Sequence, residues 1–253
     1  MKLVMFVLIA AFAGLAPANA LLEFRNDLSF DATAVDAMAE RAYRQQIAKL
    51  ASTERLDRDH KLLARLNQIV AKLHASALIE GPRAATVQWE IHTCRACDEN
   101  ASAMAGGKLL VGEEFVAKHA FTQDELGYLL AHEMAHVLAE HSRETATGAR
   151  FFVSDGKNRR YEDIQNELNE SFIVNLQMSF LAEHQELEAD YMGLVIGARS
   201  GFKPKAMLTL LEKLKPTEVS VLALHANHEA RVAQVKNALD AAERLATQRA
   251  ARR

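Results

Sequence analysis

His132 and His136 stand four residues apart with Glu133 beside the first, and no other feature restricts this chain as much. On an α-helix four residues advance about 6 Å and turn a little over one revolution, so both imidazoles leave one face and can converge on a single ion. Glu133 lies about 100° around from that face, where a carboxylate can meet a water on the ion rather than the ion itself. The segment must therefore be helical. Chance alone gives a chain of this composition about 0.03 matches to H-E-x-x-H. The surroundings agree with a helix: Thr122 and Glu125 have capping-box spacing, and Leu126, Leu129, Leu130, Met134 and Val137 follow a helical period.

Two imidazoles leave a catalytic zinc one protein ligand short. The acidic run Glu183-His184-Gln185-Glu186-Leu187-Glu188-Ala189-Asp190 is the source the sequence offers. Glu183, Glu186 and Asp190 share one helix face, whereas Glu188 points elsewhere. One member of that set can bind metal while another orients a ligand imidazole from behind. A solvated acidic face is the ordinary reading of such a run, and the neighbouring H-E-x-x-H segment argues against it.

With these motifs in hand, the chain resembles the zinc metallopeptidases that include the CAAX prenyl proteases, the HtpX-like membrane proteases and soluble periplasmic relatives such as the beta-barrel assembly-enhancing protease. Glu186-Leu187-Glu188-Ala189-Asp190 is similar to the family's E-x-x-A-D element. The resemblance makes Glu186 the third zinc ligand and places Asp190 behind a ligand, among the catalytic groups with Glu133. Asn100-Ala101 through Gly106-Gly107 and Val111 is similar to the family's strand region, which puts Asn100 and Gly107 near substrate. His225 and Arg231 keep the spacing of its H-P-x-x-x-x-R element, although Ala226 replaces the proline. His225 is then expected to cap the zinc as a fourth ligand or to donate to the oxyanion, with His228 as its rival, and Arg231 to support the site. The likeness covers broadly residues 85 to 235. It implies one zinc ion and an α+β, mostly helical, zincin-like (gluzincin) fold in which a small sheet lies beside the active-site helix.

Met1-Lys2, an apolar run from Leu3 to Leu15, and Ala18-Asn19-Ala20 read as a signal peptide over 1–20, cleaved after Ala20 into an exported, periplasmic protein. The run is short for a membrane span, and no later stretch is both long and apolar enough, so the mature chain is expected to have no transmembrane segment. A net charge of −3 gives no reason to expect nucleic-acid binding. Residues 21–80 read as a helical segment packed on the core, 81–240 as the metallopeptidase domain and 241–253 as a basic tail.

Cys94 and Cys97 are the only cysteines, and C-x-x-C can mean zinc, redox chemistry or a disulfide. Export favours the disulfide, as a staple of a turn before Asn100. After a break at Gly81-Pro82 a hairpin-like sheet is expected over 85–112, with a substrate strand docking along Lys108-Leu109-Leu110-Val111. Residues 150–160 read as a loop near the site. The function that follows is an exported zinc endopeptidase acting on unfolded or misassembled envelope proteins, with the outer-membrane assembly machinery as a candidate partner. The competing class is a zinc-containing chaperone or assembly factor that binds clients and seldom cuts them.

Overall fold

Asp31 starts the first helix by accepting the Ala34 N–H, and α1 (Ala32–Ser52) follows in a computed structural model that describes residues 28–79, 81–97, 100–215 and 228–251. The expected leader and His225 lie outside those residues. Asp59 caps α2 (His60–Ala77) in the same way, and the face carrying Leu62, Leu66, Ile69, Val70 and Leu73 is buried. The chain changes direction between α1 and α2 through Glu54 and Asp57, both at positive φ. Asp57 ties this turn to the sheet, accepting from the Thr93 N–H at 2.7 Å and contacting His92 Nδ1 at 2.5 Å. Pro82 then opens the short α3 (Arg83–Thr86), where its missing N–H costs nothing.

The sheet differs from the expected hairpin. Its strands are β1 (Glu90–Cys94), β2 (Ala101–Met104) and β3 (Lys108–Gly112), in the order β1-β3-β2. β3 pairs parallel with β1 and antiparallel with β2, so it is the central strand and has no edge on which a substrate could dock. The edge strands are β1, bridged by Leu56 at Cys94, and β2. All five residues of β3 are buried, as expected for a strand covered on both faces. Tyr43 of α1 donates its hydroxyl to the Leu109 carbonyl at 2.8 Å, which fixes the first helix against this strand.

Beyond the sheet the chain is helical: α4 (Glu113–His119), α5 (Gln123–Leu138), α6 (His141–Ala149), α7 (Tyr161–Glu170), α8 (Phe172–Arg199), α9 (Lys205–Lys213) and α10 (His228–Ala251). The expected tail from 241 is instead the second half of α10, where Ala242 is buried and Leu245 packs on the core. α5 is central. Leu126, Leu130, Ala131 and Met134 are fully buried, and each large apolar side chain there contributes about 1.5–3 kcal/mol.

α8 approaches α5 closely because glycine faces it: a Cβ on Gly193 would stand 3.0 Å from the His132 backbone nitrogen. The central core joins α2, the sheet, α5, α9 and α10, while a smaller cluster of Ala146, Ile164, Leu168, Val174 and Met178 joins α6, α7 and the first half of α8. Among the described residues no helix is long and apolar enough to cross a membrane.

Candidate metal centre

The Thr122 hydroxyl accepts the Glu125 N–H and the Glu125 carboxylate accepts the Thr122 N–H, so the expected capping box starts α5. Two and a half turns later this helix presents His132, Glu133 and His136 to a cleft of about 600 Å³. The middle of α8 brings Glu186 to the same place, and α10 brings Arg231. Asn100, Ala101, Ser102 and Ala103 form one wall, and Met207, Leu210, Leu211 and Leu214 form another.

His132, His136 and Glu186 form the cluster suited to a metal ion, with their ligand atoms within 4.8 Å of one another. A tetrahedral zinc about 2.0–2.1 Å from each donor sets the donors about 3.3 Å apart. The two Nε2 atoms are 3.1 Å apart, and the Glu186 oxygens lie 3.6 Å from His132 Nε2 and 3.4 Å from His136 Nε2. The spacing therefore fits zinc without movement of either helix.

Each donor is held from behind. His132 Nδ1 lies 3.0 Å from Asp190 Oδ1; a carboxylate only accepts, so this nitrogen carries the proton and Nε2 presents its lone pair. Arg231 donates to both Asp190 oxygens at 2.6 and 2.7 Å, and to Glu186 Oε2 at 2.9 Å. Burial works against ionising Glu186 and Asp190. The His136 contact and the positive charges around Glu186 overcome it, as Arg231 and His132 do for Asp190, and both carboxyls stay below their usual range. Glu133 goes the other way, because burial, with Glu186 nearby, pushes its carboxyl above the ordinary value despite the two histidines.

Asp190, fully buried, reaches His132 and Arg231 and so acts as a positioning group rather than a catalytic one. Asn100 lines the cleft at the start of β2. Gly107 does not line it: at φ +87 it turns the chain between β2 and β3, with Val87 and Trp89 filling the space a Cβ would need. None of residues 150–160 lines the cleft either, and Val153 packs into the smaller cluster. His228, the first residue of α10, does line it.

Cys94 and Cys97 are paired, with Cα atoms 5.9 Å apart, three residues before Asn100. The sequence reading missed His141, Glu144, Gln185 and Glu188, which gather behind His136. Glu188, off the face of Glu186 and Asp190 as expected, meets His141 Nε2 at 3.2 Å. The available signal was His141 itself, five residues past His136, but its contact depends on a break between two helices that spacing does not reveal.

A model of Peptidase family M48 matches residues 60–239. The chain belongs to peptidase family M48. Members of this family are zinc-dependent metallopeptidases, in agreement with the donor set described above. The match takes in α2, which the motifs alone left out. This M48 chain is 26% identical over 230 residues to the mitochondrial metalloendopeptidase OMA1 of Schizosaccharomyces pombe, covering 86% of the chain and 64% of that relative. It is 25% identical over 176 residues to the OMA1 of Saccharomyces cerevisiae, covering 67% and 51%. The OMA1 of Arabidopsis thaliana is 28% identical over 146 residues, covering 57% of the chain and 28% of that relative. The M48 chain thus spans less than two thirds of the length of each of these three.

Proposed function

We propose that this chain is a zinc endopeptidase of the exported, soluble M48 branch that resembles the beta-barrel assembly-enhancing protease, cutting unfolded or misassembled envelope proteins. The observation that carries the reading is Glu133 on the cleft floor beside the His132–His136–Glu186 cluster. Zinc held by these three residues would polarise the scissile carbonyl and acidify a water molecule. Glu133 takes the proton from the attacking water and passes it to the leaving amine, a task suited to a carboxyl that burial raises above its ordinary value. Asp190 and Arg231 hold His132 and Glu186 in register during the reaction.

Substrate lies extended along the free edge of β2, which replaces β3 as the docking strand and borders the cleft at Ala101, Ser102 and Ala103. Backbone pairing of this kind is sequence-tolerant. Export is supported by the Leu3–Leu15 run, the Ala18-Asn19-Ala20 pattern and the cysteine pair. The intact Glu133 favours an enzyme over a client-holding chaperone.

The test is purified, metal-analysed protein incubated with an unfolded outer-membrane protein. Wild type should carry one zinc and produce fragments, and Glu133→Gln should carry zinc and cut at least about 100-fold more slowly. Equal cutting by both would remove Glu133 from the mechanism, and a zinc-loaded wild type that binds the client without cleaving it would favour the chaperone.

A further inference from the structure

Glu140 has φ 57 and ψ 34, a left-handed conformation that separates α5 from α6. The break returns His141, the first residue of α6, to the side of His136. His141 is 3% exposed, its Nδ1 lies 2.8 Å from His136 Nδ1, and its Nε2 lies 3.2 Å from Glu188 Oε2. The backbone of His141 is fixed as well, since Gln185 Nε2 donates to its carbonyl at 3.2 Å and to Glu144 Oε2 at 2.8 Å.

Two hydrogen-bond senses are open between the rings. In one, His141 Nδ1–H donates to His136 Nδ1 and His136 Nε2 carries a proton. In the other, His136 Nδ1–H donates to His141, and His141 Nε2–H donates to Glu188. Only the second leaves the His136 Nε2 lone pair toward the cleft, and Glu188, an acceptor at the far nitrogen of His141, favours it.

We propose that His141 and Glu188 are positioning residues that fix the tautomer and ring angle of His136 for zinc, as Asp190 does for His132. This deepens the zinc reading and rests on it. His132 is thus held by a carboxylate directly, and His136 by a carboxylate acting through an intervening imidazole.

Full-length protein, zinc-loaded and then titrated with a chromophoric chelator, measures the effect without relying on turnover. Removing such outer partners typically costs 10–100-fold in metal affinity, so His141→Ala and Glu188→Ala should each weaken zinc binding by about that factor. Glu188→Gln keeps an acceptor and should recover most of the loss. The visible spectrum of the cobalt(II)-substituted protein should change in the two alanine variants and return toward wild type in Glu188→Gln.

Melting of the apoproteins separates folding from positioning. Should His141→Ala fail to fold, Glu188→Ala carries the test, its site being partly open to solvent with the side chain 26% exposed. Wild-type zinc affinity and cobalt spectrum in Glu188→Ala would overturn the proposal, even with a lowered melting temperature. A wild type binding zinc no better than His136→Ala would overturn the zinc reading itself, and this inference with it.

Discussion

Arg231 answers two carboxylates at once, and Asp190, one of them, has no access to water. Truncating one partner of such a buried set leaves an uncompensated charge. Arg231→Leu should therefore destabilise the protein by about 3–5 kcal/mol in a urea titration, more than the loss of an exposed ion pair. Arg231→Lys should recover only part of this, because an ammonium lacks the planar fork that meets both Asp190 oxygens. A variant as stable as wild type would mean that water replaces the guanidinium. At this scale helical spacing made His132 and His136 legible as a pair with Glu133 beside them, and narrowed the third donor to Glu183, Glu186 or Asp190, while the choice of Glu186 came from the family resemblance. It was silent where contact crosses a break, as between His141 and His136.

Helix α5 depends on its first turn. Burial pushes the Glu125 carboxyl up, but Lys213 at 2.8 Å and the Thr122 N–H more than offset this, taking it from 4.5 to about 2. A carboxyl depressed on folding contributes stability that is complete above its unfolded value and lost as pH falls through its folded one. The contribution should fade between about pH 4.5 and pH 2 and is worth up to ~3 kcal/mol. Glu125→Gln should flatten the fall in unfolding free energy across that interval, and unchanged pH dependence would remove the capping carboxylate as its source.

Among the strands, the short alternating segments identified a sheet but not its order, since β1 and β3 are neighbours only through a crossover. The continuous burial of Lys108–Gly112 belongs to a central strand, and its run of apolar residues was the sign that its edge is not free. The edge at β2 makes its own prediction: N-methylating alternate backbone positions of a cleaved peptide should raise KM about 2–10-fold per lost hydrogen bond. Equal KM for all methylated peptides would argue against strand-like docking.

Across the molecule, three connections join separate elements. Leu28 and Phe30 bind Arg143 through their carbonyls, and Phe30 packs against Tyr161, so the described chain begins on the smaller cluster rather than at the cleft. The cysteine pair ties the end of β1 to the approach of β2, and protein purified without reductant should resist thiol alkylation until reduced. Two alkylated cysteines without reductant would exclude the bond. The three ligands join α5 to α8, so zinc should add stability by mass action, about 4 kcal/mol at a free concentration a thousandfold above Kd. Chelation should lower the melting temperature and leave a folded apoprotein.

Gly193 is the reason to expect a folded apoprotein. A missing side chain lets the two ligand-bearing helices approach closely, so the donors should be assembled when the core packs, and capturing the metal should require little further ordering. The protein should then act as a rigid chelator rather than one that closes around its guest. Ion exchange can then occur in a standing scaffold, and even a single methyl group at position 193 would alter the bite of that chelator from a position that never touches the metal.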